Sequence, residues 1–107
     1  MKRQPFAASQ SQREKVNGEP CVVCGRSFCD PMHIIDRSIT TVGQDNALAV
    51  VAGCRQCHGE YDGGTLDLLP HMEPRYRQEL AYAVERVGLV ATLRRVTNER
   101  NAGARAA

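Results

Sequence analysis

Residues 21–62 decide the fold of this chain, and they read CVVCGRSFCDPMHIIDRSITTVGQDNALAVVAGCRQCHGEYD. Two cysteine pairs with the spacing Cys-x-x-Cys stand at 21–24 and 54–57. Each pair can bind one ion from a tight turn, and two pairs complete the four thiolate ligands of a structural zinc site. The residue after the first pair is a glycine, which supplies the backbone freedom that such a turn needs. The predicted zinc ligands are Cys21, Cys24, Cys54 and Cys57.

The second cysteine pair allows one other interpretation. With His58 it also matches the C-x-x-C-H signature of covalent haem attachment. Haem attachment of this type takes place outside the cytosol, and it leaves Cys21 and Cys24 without a role, so zinc is favoured. Cys29 is a fifth cysteine, which is either a buried thiol or an alternative ligand.

Length and composition predict one small domain in the cytoplasm. The chain has 107 residues and only five aromatic side chains, so its core must be aliphatic and thin, and a metal would add needed stability. No apolar run approaches the roughly 20 residues that span a membrane. The basic N-terminus has no apolar stretch of a signal peptide. In the reducing cytosol, paired cysteines indicate metal rather than disulfides.

The charge is unevenly distributed, although the net charge is only +2. Basic residues dominate residues 1–20 and the tail from Arg94, whereas the middle of the chain is net acidic. Basic ends around an acidic centre suit a protein whose ends contact phosphates while its centre holds a cation. Two solvated tails explain the same pattern equally well.

Hydrophobic patterning predicts an α+β domain. Residues 32–35 and 47–52 are short apolar runs typical of strands. A helix follows Cys54 to about Tyr61 and is stopped by the sequence Asp-Gly-Gly, and residues 67–70 read as a loop. From Pro74, apolar residues at helical spacing predict a helix that is interrupted at Gly88.

These patterns divide the chain into four segments. Residues 1–18 are predicted to be a flexible basic N-terminal segment, disordered or loosely helical. Residues 19–72 form the zinc-stapled module, residues 73–98 a helical extension that packs on it, and residues 99–107 a tail.

Together, the motifs resemble one nuclease family. The order Cys-x-x-Cys, His33-Ile-Ile, Asp-Asn46-Ala-Leu and Cys-x-x-Cys-His58 is similar to the HNH endonucleases, whose ββα-metal fold is often stapled by such a zinc. The likeness covers residues 21–62. It implies that His33 is the general base, that Asn46 holds the loop or the imidazole, and that His58 binds a catalytic divalent cation such as Mg²⁺ or Mn²⁺. The chemistry agrees, because phosphodiester hydrolysis needs a base near neutral pKa and a cation to stabilise charge.

Further ligands of this cation are less defined. Asp62 lies four residues after His58 on the predicted helix, so both can share one ion, although Asp62 can also cap the following turn. Many members of the family carry an acidic residue or a histidine immediately before the base, where this chain has Met32. A thioether is a poor ligand for a hard cation. Asp30 or Asp36 is expected to replace it, or the site relies on His58 and Asp62.

The resemblance also implies a substrate and a setting. Hydrolysis of double-stranded DNA is expected, by nicking or by cutting both strands. Arg37 and Arg55 are candidates for phosphate contact, or else surface residues, and His71 is expected to be an exposed bystander. Small free-standing members of this family occur in bacteriophages, often beside the packaging terminase, and act in the host cytoplasm. The alternative is a non-catalytic zinc module that binds DNA or a protein.

Overall fold

A computed structural model describes residues 8–35, 46–72 and 74–98. Within these ranges the chain is α+β, with one two-stranded sheet and five helices. The strands are β1 (Cys29–His33) and β2 (Val50–Cys54), with a 3₁₀ turn at Ala47–Ala49 before β2. The helices are α1 (Gln10–Val16), α2 (Arg55–Asp62), α3 (Leu69–Met72), α4 (Arg77–Val87) and α5 (Leu89–Thr97). No helix in the described ranges has the length and apolarity needed to cross a bilayer.

The two strands pair antiparallel, and their register brings the cysteines together. Cys29 pairs with Cys54 at one end and His33 with Val50 at the other. The first strand therefore begins three residues earlier than the apolar run at 32–35 predicts. Pro31 is tolerated inside it because a two-stranded sheet has only edge strands. The second strand begins later than predicted, because Asn46 caps residues 47–49 into the 3₁₀ turn instead.

The main core lies between one face of the sheet and helices α2 to α5. Its buried members include Met32, Val51, Tyr61 and Val96. Met32 packs directly on Gly53. A Cβ atom added to Gly53 would clash with the sulfur of Met32. The residue that interrupts the expected metal-ligand pattern is therefore a fully buried core side chain.

Helix α1 covers the opposite face of the sheet. Val16 packs against Val50 and Ala52. Lys15 Nζ lies 2.7 Å from Glu79 of α4 and donates to the carbonyls of Ala47 and Val50. Residues 10–16, for which the sequence predicts a disordered or loosely helical segment, form a helix that these contacts and a capping box at Ser9 hold in place.

The C-terminal pattern agrees with the sequence apart from its boundaries. Residues 74–76 form a turn, and α4 starts at Arg77. Gly88, with φ +91°, separates α4 from α5 as predicted. The loop expected at 67–70 instead enters the short helix α3, whose first N–H bonds to Asp67 Oδ1 at 2.9 Å. Asn98 ends α5 in a left-handed conformation and donates to the carbonyl of Tyr61, which ties α5 to α2.

Candidate metal centre and polar cluster

The four predicted zinc ligands converge at one end of the sheet. Cys21 and Cys24 come from the turn between α1 and β1, Cys54 ends β2, and Cys57 lies in the first turn of α2. Their four sulfur atoms all lie within 4.8 Å of one another. Among the described residues this is the only group of three or more such donor atoms that converges so closely. The sequence therefore correctly predicts a cluster that can bind a metal ion.

The spacing of these sulfurs fits zinc. Cys24 Sγ and Cys54 Sγ lie 3.6 Å apart. Sulfurs at 2.3 Å from a tetrahedral zinc ion would lie about 3.8 Å from each other. Gly25 has φ +80° and closes the turn by donating to the Cys21 carbonyl at 3.0 Å. The predicted need for glycine here is confirmed.

Electrostatics around the sulfurs favour one thiolate in the metal-free cluster. Burial opposes ionisation of Cys21, but N–H groups of Cys24, Cys54 and Val23 outweigh it and lower the pKa of Cys21 to about 6. Burial, followed by the neighbouring sulfurs of Cys54 and Cys21, raises the pKa of Cys57. A pocket that stabilises negative sulfur in this way suits a cation.

Cys29 lies beside this cluster and outside the group of four. It is half-buried, and its Sγ donates to the Arg26 carbonyl at 3.4 Å. Burial, followed by electrostatic repulsion from the neighbouring Cys21 and Cys54 side chains, raises the pKa of Cys29 to about 11. Its sulfur does not belong to the group of four that lie within 4.8 Å of one another, so the geometry favours the other four cysteines as ligands.

His58, one residue after the last cysteine, lies between two carboxylates. Its Nε2 is 3.2 Å from Asp62 Oδ2, and its Nδ1 is 3.5 Å from Asp30 Oδ2. Neighbouring ligands of an octahedral cation at about 2.1 Å lie about 3 Å apart, which matches the pair His58 and Asp62. Asp30 faces the other ring nitrogen, so an ion bound at Nε2 is not shared with Asp30 in this arrangement.

Arg95 joins this cluster to the first strand, and sequence reasoning missed it. Its Nη2 lies 3.4 Å from Asp62 Oδ1, and its Nε donates to the His33 carbonyl at 3.0 Å. The guanidinium also stacks 4.6 Å from the centre of the Tyr61 ring. Arg95 cannot be identified from the spacing of neighbouring residues, because its partners lie far away in the sequence.

His33 accepts two hydrogen bonds at its backbone carbonyl, one of them from Arg95. Its carbonyl accepts a second hydrogen bond from Tyr61 Oη at 2.8 Å, and its residue exposure is 4%. Strand alternation puts His33 on the same face as Cys29, opposite to Asp30. A continuous series of polar contacts thus runs from the backbone carbonyl of His33 through Arg95, Asp62 and His58 to Asp30. We call this series the polar chain.

The other predicted residues do not belong to this chain. Asn46 Oδ1 accepts from the N–H of Leu48 at 2.8 Å and so holds the turn before β2. Arg55 has a side chain that is 93% exposed, with Nε 4.0 Å from Asp30 Oδ2. His71 is exposed on α3, as expected. Arg37 and Asp36 lie outside the described residues.

Comparison with protein-family models, with curated proteins and with solved structures gives no match.

Proposed function

We propose that this protein is a metal-dependent endonuclease of the HNH type that hydrolyses phosphodiester bonds in double-stranded DNA. The observation that carries the proposal is the pair of His58 and Asp62 on α2, which the polar chain joins through Arg95 to the backbone carbonyl of His33 on β1. It lies beside a four-cysteine cluster that can fix both elements in place. A purely structural metal domain does not require histidines and carboxylates in this arrangement.

Residues of the polar chain, together with the His33 imidazole and Arg55 outside it, have roles in this proposal. His33 would accept the proton of the attacking water, since a neutral imidazole is a suitable base near pH 7. His58 and Asp62 would hold the divalent cation, which when bound supplies charge stabilisation at the phosphate. Arg95 occupies the other oxygen of Asp62 and so keeps Oδ2 directed at His58. Arg55 extends into solvent and would contact a backbone phosphate.

A plasmid-nicking assay tests the proposal. Zinc-loaded protein should relax supercoiled plasmid when Mg²⁺, Mn²⁺ or Ni²⁺ is added, and His33→Ala should be at least about 100-fold slower. His71→Ala is the matched control, because His71 is an exposed histidine away from the chain. The proposal fails if folded protein nicks with none of these metals, or if His33→Ala cuts as fast as His71→Ala.

One alternative has a specific observation in its favour. His33 is 4% exposed, and Met32 is fully buried in the core at the position where many relatives of this type carry a ligand. These two facts favour a zinc module that binds DNA or a protein without cutting. DNA binding that persists without metal-dependent nicking would select this alternative. A phage terminase as partner stays a prediction.

A further inference from the structure

Phe28 is exposed to an extent that is unusual for an aromatic residue. Its relative exposure is 96%, and its φ is +63°, a conformation that L residues other than glycine rarely adopt. The ring contributes nothing to the core, and its backbone works against stability. An exposed ring on a strained backbone indicates a functional role for Phe28 and not a role in stabilising the fold.

The segment that carries Phe28 is fixed on both sides. The carbonyl of Arg26 accepts from the N–H of Cys21 at 2.9 Å and from Cys29 Sγ at 3.4 Å. Phe28 is followed immediately by β1, which starts at Cys29. The ring is therefore presented by a turn that is anchored to a zinc ligand and to the sheet.

A surface groove runs from Phe28 toward the polar chain. Asp30 and Arg55 line it together with Phe28, and the rest of its lining consists of Asn17, Gly18, Ser27 and Cys29. Asp30 in turn lies 3.5 Å from His58. The ring thus marks one end of a groove that reaches Asp30, whose carboxylate lies next to His58, one of the two residues proposed to hold the cation.

The surroundings of the ring indicate which partner it fits. One guanidinium group, that of Arg55, lines the groove together with the Asp30 carboxylate. The other exposed large apolar residues in the described ranges are Leu89 and Val90 on α5. A protein-docking surface needs a contiguous apolar patch, whereas a single aromatic ring in a groove with an exposed arginine suits a nucleic acid.

We propose that Phe28 stacks on an unpaired or unstacked DNA base, while Arg55 contacts a flanking phosphate. This inference rests on the proposed function, which makes DNA the substrate. It adds that the protein prefers DNA in which a base is accessible, such as gapped or single-stranded DNA, over a fully paired duplex. Aromatic stacking supplies that preference because every base has a π face, whereas phosphate contacts alone do not distinguish these forms.

The chain contains no tryptophan, which provides a direct probe. In a His33→Ala background that prevents cutting, Phe28→Trp introduces a single fluorophore at the proposed contact. Its emission should be quenched as DNA is titrated in, and the gapped duplex should quench at lower concentration than the fully paired duplex. In the same background, Phe28→Ala should bind gapped DNA about tenfold more weakly. Leu89→Ala is the matched control for losing an exposed apolar side chain and should bind normally.

The possible failures are distinguishable. If the background protein binds no DNA at all, both this inference and the proposed function are overturned. If it binds DNA but the tryptophan emission is unchanged at saturation and Phe28→Ala binds equally well, only the stacking inference is overturned. Zinc content measured on each variant confirms that a loss of binding does not come from a loss of folding.

Discussion

The cysteine cluster and the polar chain differ in how they are assembled. The four sulfurs come from two short turns, and each pair is set by local spacing. The polar chain is built from residues of β1, α2 and α5. Its hydrogen bond from Arg95 to the His33 carbonyl joins residues that lie 62 positions apart in the sequence. Local spacing thus identifies the members of the cysteine cluster, whereas the proposed chemistry depends on the complete fold. Variants should separate the two.

The largest effect is expected from losing a zinc ligand. Cys54→Ser should release the metal and unfold the domain, because structural zinc contributes roughly 10–16 kcal/mol in small metal-dependent folds. Cys29→Ser is the matched control and should stay folded with one zinc ion per chain. Zinc content by mass spectrometry and helicity by circular dichroism measure both. A folded, metal-free Cys54→Ser protein would show that the cluster does not stabilise the domain.

The next largest effect is expected from breaking the polar chain. Arg95→Ala removes two charge-assisted contacts and the stacking on Tyr61, so the free energy of unfolding should fall by about 1.5–3 kcal/mol. Zinc should be retained, and nicking should fall. Arg94→Ala, at the exposed neighbouring position, should change neither. Urea unfolding measures the difference in stability between the two variants. Equal stabilities would show that the contacts of Arg95 do not stabilise the domain.

Acidification should weaken the cysteine cluster specifically. Zinc must displace protons from the ligands whose pKa is raised, Cys24 and Cys57, so its affinity should rise with pH. Cys21 has a lowered pKa of about 6, so its contribution is lost as the pH falls through that value. Competition with a chromophoric chelator from about pH 5 to pH 8 measures this dependence. An affinity that does not change with pH would contradict the thiolate assignment.

The smallest effect on stability is expected at Arg55. Its side chain is 93% exposed and its contact with Asp30 is 4.0 Å long, so Arg55→Ala should change the free energy of unfolding by less than about 0.5 kcal/mol. DNA affinity should nevertheless fall, and the fall should shrink at high salt because a phosphate contact is screened. Thermal unfolding and fluorescence anisotropy at two salt concentrations measure both quantities. Unchanged DNA affinity would exclude Arg55 from the interface.

The sequence predicts what depends on local spacing. The cysteine pairs, Gly25 and helix α2 follow directly from residue order, and so does the pairing of His58 with Asp62 four residues later. The predicted limits of β1 were wrong because Cys29–Pro31 have no apolar pattern of their own. These residues are held in the strand by pairing with β2. Tertiary pairing there outweighs local preference.

Contacts between distant parts of the chain could not be predicted. Helix α1 is held by the ion pair of Lys15 with Glu79, and the polar chain is completed by Arg95. In both cases a basic residue reads as surface charge in the sequence, and only the fold shows its partner. The burial of Met32 was likewise hidden, because it depends on the space that Gly53 leaves across the sheet.

We propose that the polar chain supports phosphodiester hydrolysis, whereas the cysteine cluster stabilises the fold. The most direct test is the nicking rate of Asp62→Asn measured together with its zinc content. Asparagine keeps the shape of the side chain but removes the charge proposed to bind the cation. We expect full zinc occupancy, an unchanged fold and nicking reduced by about 100-fold. Nicking at the wild-type rate by this variant would contradict this proposal.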